Sequence, residues 1–109
     1  MIPMLVDTGA SNTCISSDQA RSAGLVVSGK ATVASATHSV PVNTYLADIV
    51  IPFGNPAAGS AIQTVVAESV QVMEFNANNP AYHGLLGRDI LSRGFFSMAA
   101  FDRRFTFCM

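Results

Sequence analysis

The stretch "LVDTGASNT", Leu5 to Thr13, sets one carboxylate, Asp7, between an apolar run and a Thr-Gly pair. A carboxylate at a chain bend can serve as a general acid or base if its neighbours hold it there. Gly9 permits backbone conformations barred to other residues, and the Thr8 hydroxyl can bond to backbone. The bland reading is a strand exit with a solvated Asp. Other chemistry is thin. His38 and His83 have no ligand-spaced neighbour, and Cys14 and Cys108 have neither CxxC nor zinc-type spacing. They read as loop histidines facing water and as small buried hydrophobes, so neither metal nor cofactor is expected. No GxSxG elbow or Cys/His pair offers a nucleophile.

A second element that could position Asp7 is "GLLGRDIL", Gly84 to Leu91. It is a very short apolar strand between two glycines, which let another backbone approach closely, and it runs straight into a helical turn.

Most other segments read as β: Met4 to Val6, Ala31 to Ala34, Val40 to Ile51, Ile62 to Ala67, Ser69 to Met73, Phe95 to Phe101 and Phe105 to Cys108. They are short, rich in Val, Ile, Thr and Phe, and separated by Gly, Pro, Asn and Asp clusters, an all-β pattern. Two short helices are expected. One spans Ser17 to Ala23, with Ser16 or Ser17 as cap and Gly24 at its end; the other spans Asp89 to Arg93, closed by Gly94. Ala31 to Ile51 reads as a projecting hairpin with Ser35 to His38 at its tip.

The 109 residues have the length of one domain, residues 1–109. Half the residues are hydrophobic (50%) and 12% are charged, against a usual charged share of about 25%. Such a surplus of apolar surface calls either for an unusually complete core at this size or, the favoured reading, for cover by a second chain, as in homodimers whose interfaces resemble a divided core. A net charge of -1 without a basic stripe argues against nucleic acid as a partner. The run "MIPMLV" is too short for a membrane span and has no basic region before it, so neither a membrane segment nor a signal peptide is expected in this chain.

Together "LVDTGAS" and "LLG", Leu85 to Gly87, in this order and with a hairpin between them, resemble the two diagnostic motifs of the retropepsin-like aspartic proteases. The resemblance extends from Met4 to about Phe107, and the late "FDRR" turn is closer to cellular and bacterial members than to viral ones. It implies an all-β fold: a closed, barrel-like half with an active-site loop threaded beneath the "LLG" strand, a flap hairpin and one or two short helices. It further implies an aspartic endopeptidase in which water attacks the peptide bond between two Asp7 carboxylates of a homodimer. Thr8 would lock the two loops across the dimer axis, and Gly9 would lie alongside the peptide or protein substrate. Leu85 and Leu86 would support the loop and line the nearest subsite, with Gly87 closing the motif. Ala34, Ser35, Ala36 and Thr37 would belong to the flap. Ala10 stands where many relatives carry a hydroxyl donor to the carboxylate, and loss of a bond to the charged form shifts the expected activity optimum to mild acid.

Departures from the pattern set further expectations. Only six residues precede Asp7, so the domain is expected to lack the usual N-terminal strands, which fits a processed product, a trimmed chain, or a dimer interface built differently, from the C-terminal segment Phe95 to Met109. The flap tip carries no glycine. The stretch "ESVQVMEFNANNPAYH" reads as a long loop beside the cleft. Arg88 is expected to pair with Asp89 or Asp18, or to face solvent. Tyr45 and Tyr82 read as core or cleft-edge residues with exposed hydroxyls. The competing reading is a non-proteolytic dimeric peptide-binding domain, or an inactive fragment of such a protease.

Overall fold

The computed structural model describes residues 1–34, 37–54, 59, 61–75 and 81–109. Among these residues eight strands and two short helices follow one another: β1 (Met4–Val6), β2 (Cys14–Ser16), α1 (Ser17–Ser22), β3 (Val27–Ala34), β4 (Ser39–Phe53), β5 (Gln63–Phe75), β6 (Gly84–Leu86), α2 (Arg88–Leu91), β7 (Phe95–Ala99) and β8 (Arg104–Cys108). Six strands form one curled half-barrel sheet in the order β1-β6-β2-β5-β4-β3, and β7 and β8 form a separate pair. The chain is all-β, as its composition and motifs implied.

The position of β6 decides where the chemistry can sit. β1 and β2 flank the loop that carries Asp7, yet they do not pair with each other. β6 lies between them, parallel to β1 (Leu5 opposite Leu85) and antiparallel to β2 (Cys14 opposite Leu85). The loop from Asp7 to Thr13 therefore bridges over β6, which is the threading that the resemblance implied.

The core lies on the concave side of the sheet. Ile15, Tyr45, Val70, Val72, Leu86 and Ile90 are buried there. α1 begins where the Ser16 hydroxyl accepts a bond from the Gln19 N–H at 3.3 Å, and the chain turns out of it at Gly24 with φ +73°. That conformation favours glycine, so both ends follow the expected signals. α2 has only four residues, and the burial of Ile90 (0% exposed) and Leu91 (5%) holds it. Burying side chains of this size contributes roughly 1.5–3 kcal/mol each, more than the intrinsic stability of a single turn. It begins one residue earlier than expected, at Arg88, and ends at Leu91, because Gly87 takes the cap position in extended conformation.

Three expectations about strands are corrected. Ile62 to Ala67 and Ser69 to Met73 are a single strand, β5, interrupted by a β-bulge. At the bulge Ser69 adopts φ +52°, its N–H donates to Asp48 Oδ1 at 2.8 Å, and the pairing with β4 shifts register between Ala47 and Ile49. Two residues oppose one there, which imitates a turn in sequence while preserving the strand. Consequently the first half of "ESVQVMEFNANNPAYH" is strand as far as Phe75, and residues 76–80 lie outside the described part. β2 was not expected at all.

The projecting hairpin is present as β3 and β4, which pair from Val27 opposite Tyr45 to Ala34 opposite Ser39. Of the expected flap residues, Ala34 ends β3 and Thr37 lies just before β4; Ser35 and Ala36 lie outside the described residues.

Candidate active site

Asp7 leaves β1 with its own N–H still in the ladder, donating to the Leu86 carbonyl at 3.0 Å. The chain then bends. The Gly9 N–H donates to Asp7 Oδ1 at 2.9 Å and the Ala10 N–H donates to the Asp7 carbonyl at 3.2 Å. One carboxylate oxygen is thus held by backbone, and among the described residues the other has no partner within the chain. Asp7 is half-buried, whereas Thr8 and Gly9 are exposed. Among the described residues the Thr8 hydroxyl makes no bond inside its own chain, and its carbonyl accepts from Arg88 Nη1 at 3.0 Å.

Beneath the loop, Gly87 is where two backbones touch. A Cβ placed on it would lie 2.6 Å from both the carbonyl carbon and oxygen of Asn12 and 3.0 Å from the Ala10 oxygen. No side chain fits, so "LLG" needs its glycine for close approach. The next residue adds a backbone tie, Arg88 N–H to the Ala10 carbonyl at 2.8 Å.

Asp89 completes the joint in a way that sequence reasoning missed. Its carboxylate accepts from the Thr13 N–H (2.9 Å), from the Thr13 hydroxyl (2.7 Å) and from the Ile90 N–H (2.9 Å). Thr13 is fully buried (0% exposed), and its hydroxyl oxygen in turn accepts from the Gly87 N–H at 3.1 Å. Arg88 therefore pairs with neither Asp89 nor Asp18; the latter lies 3.6 Å from Arg21 on the surface. The Arg88 side chain remains exposed and spends one donor on the Thr8 carbonyl. The available signal was Thr13 itself, a polar residue opening an apolar strand.

The remaining motif residues divide between two faces. Leu86 is buried in the core with Val72 and Ile90, while Leu85, on the opposite face of β6, is half-buried. Ala10 is half-buried and contributes only backbone to these contacts. An apolar cavity of about 520 Å³ opens elsewhere, between Met1, Met4 and Val6 on one side and Ala47 to Pro52 on the other; Asp7 does not line it.

Two titratable groups near these elements are perturbed. Burial pushes the Cys14 thiol above its ordinary range, and the nearby negative charges of Asp89 and Asp7 push in the same direction. Both cysteines are free thiols, and neither is the buried hydrophobe expected: Cys14 is half-buried and Cys108, at the end of β8, is exposed. Tyr45 has no exposed hydroxyl, contrary to expectation: it is 5% exposed and donates to Glu74 Oε2 at 2.5 Å, an oxygen that also accepts from Asn43 Nδ2 at 3.4 Å. That bond to Glu74, with burial behind it, raises the Tyr45 pKa. Among the described residues no group of three His, Cys, Asp or Glu side chains is placed to hold a metal ion, and no helix is long and apolar enough to cross a membrane.

No curated protein and no solved structure matches the chain. A family model described as gag-polyprotein putative aspartyl protease matches residues 1–93, a span that holds Asp7, "LLG" and every element that ties them together. The match agrees with the retropepsin-like motifs, and the chain belongs to the gag-polyprotein putative aspartyl protease family.

Proposed function

We propose that the chain is an aspartic endopeptidase that works as a homodimer, with Asp7 of each copy supplying one carboxylate. The observation that carries this reading is the state of Asp7: a carboxylate at the bend of a loop braced from beneath, with one oxygen held by the Gly9 N–H and the other without a partner among the described residues. One such group cannot do the chemistry alone. Two carboxylates brought to about 3 Å share one proton, because both cannot ionise cheaply at that distance, and the pair then acts as base and acid together.

In this mechanism the ionised carboxylate takes a proton from the water held between the two groups as the water oxygen bonds to the scissile carbonyl carbon. The protonated carboxyl gives its proton to the carbonyl oxygen. On collapse of the tetrahedral intermediate the ionised carboxylate takes a proton from one of its hydroxyls as C=O re-forms and the C–N bond breaks, and the protonated carboxyl gives its proton to the leaving amine, which returns the pair to its one-proton state. Thr8 and Gly9 hold the loop and lie along the substrate, Ala10 and Leu85 to Gly87 support it, and the β3–β4 hairpin from Ala34 to Thr37 covers the bound peptide and limits water. Substrates are peptides or proteins, and no cofactor takes part.

The test is cleavage of a peptide library by the full chain across about pH 4–6, the range bracketing an ordinary carboxylate and mild acid. The wild-type chain is expected to cleave with a mild-acid optimum, and Asp7→Asn is expected to abolish cleavage while leaving circular dichroism unchanged. Equal cleavage by the two proteins, or none by either, rejects the proposal; binding of peptides without cleavage would instead favour a peptide-binding domain.

A further inference from the structure

The β3–β4 hairpin is supported along only part of its length. β4 lies against β5 from Phe53 opposite Gln63 as far as Thr44 opposite Met73, and from Asn43 to Ser39 it pairs with β3 alone. β3 is irregular at the same level of the sheet. Its register shifts between Val27 and Gly29, and the extra residue, Ser28, sends its hydroxyl to the Thr44 carbonyl at 3.2 Å. A bulge bends the strand that carries it. Support ends and curvature begins at Thr44, so this is where the hairpin can turn relative to the sheet.

The two faces of β4 differ at that point. On one, the Thr44 side chain is buried (1% exposed), and its hydroxyl oxygen has no partner among the described residues. Gly29 passes so close that a Cβ on it would lie 3.3 Å from that oxygen. The packing is tight, but no directional bond holds the turn from this side. On the other face, strand alternation places Asn43 and Tyr45 together, one on each side of Thr44. Both donate to a single oxygen, Glu74 Oε2: Tyr45 from its hydroxyl at 2.5 Å and Asn43 from Nδ2 at 3.4 Å. Tyr45 belongs to the part of β4 that β5 supports, and Asn43 is the first residue of the part that it does not. Glu74 itself follows the last β5 residue paired with β4 and is fixed by β2, opposite Ile15. Its carboxylate therefore spans the bend, and bonds to a carboxylate are about twice as strong as those between neutral groups.

We infer that Glu74 is a positioning residue: through Tyr45 and Asn43 it sets the angle at which the free arm of the β3–β4 hairpin leaves the sheet. The consequence for substrate rests on the proposal above that this hairpin covers a bound peptide. An arm already held at its binding angle loses less freedom when the peptide arrives, so the strap acts on binding and not on the chemistry at Asp7.

Peptide hydrolysis and amide hydrogen exchange on the full chain test it, comparing wild type with Glu74→Ala, Tyr45→Phe and Glu74→Gln, the last of which keeps an acceptor oxygen for both donors. Glu74→Ala and Tyr45→Phe are expected to raise KM at least about fivefold with kcat within about twofold of wild type, and Glu74→Gln to recover most of the loss. In exchange without peptide, Glu74→Ala is expected to speed the amides of the free arm, residues 30–34 and 39–43, at least about tenfold, while those of the supported part, residues 49–53, keep the wild-type rates. Exchange that speeds throughout the molecule, arm amides that do not change, or an active chain whose KM stays at the wild-type value overturns the inference. A wild-type chain that cleaves nothing, with exchange altered only in the arm, supports the strap and rejects the protease reading.

Discussion

The loop from Asp7 to Thr13 and the hairpin from Phe95 to Cys108 both reach the surface, and they are held in opposite ways. Under the loop, polar ties converge from β6 and α2: Leu86, Gly87, Arg88 and Asp89 each bond to it, and the deepest tie is sealed by a fully buried Thr13. The hairpin is attached through aromatic contacts to Phe53, and its large side chains are half-covered or bare. Directional bonds at short range fix a carboxylate to a few tenths of an ångström, which acid–base chemistry demands. Apolar contact is less directional and proportional to area, so it fixes the hairpin less sharply. The loop is held by directional bonds within the chain, and the hairpin leaves much of its apolar surface bare.

The largest expected effect comes from breaking the closest approach in the loop region. Gly87→Ala drives a methyl into the Asn12 peptide 2.6 Å away, where only backbone could yield. It is expected to cost about 3 kcal/mol or more and to abolish cleavage, measured by thermal unfolding and peptide hydrolysis. Asp89→Ala comes next. It leaves the Thr13 N–H and hydroxyl in a dry site without their acceptor, a loss of about 2–3 kcal/mol, or roughly 10–20 °C in melting temperature for a domain of this size. Asp89→Asn keeps an acceptor for Thr13 and is expected to recover about half of that. The smallest effect compares the two thiols. Cys14, half-buried at the joint with its pKa raised, is expected to react with a thiol reagent at neutral pH at least about tenfold more slowly than the exposed Cys108 on the hairpin. The sign follows from the thiolate: burial first, then the charges of Asp89 and Asp7, keep the Cys14 proton on as pH rises. Equal rates would mean that the joint opens as readily as the hairpin.

Much of the site was legible in residue types. Asp7 followed by Thr-Gly, and Gly87 after two leucines, carry their roles in chemistry that few other residues can replace. The Ser16 cap and the Gly24 turn were legible for the same reason. Asp89 was not, because its partner Thr13 is 76 positions away and only the passage of β6 between β1 and β2 brings them together. β2 was hidden likewise: "CIS" has no strand pattern of its own, and it is a strand because β5 and β6 flank it. The bulge at Ser69 misled in the other direction, since a polar pair inside an apolar run reads as a turn. Where chemistry decided a position the sequence spoke clearly, and where tertiary neighbours decided it the sequence was silent.

The central claim is that one catalytic site takes a carboxylate from each of two chains. Mixing wild type with Asp7→Asn at fixed total concentration, after equilibration, tests it most directly. If mixed dimers hold one carboxylate and are inactive, cleavage falls as the square of the wild-type fraction. A linear fall, in which each wild-type chain keeps its full activity whatever surrounds it, would contradict the claim.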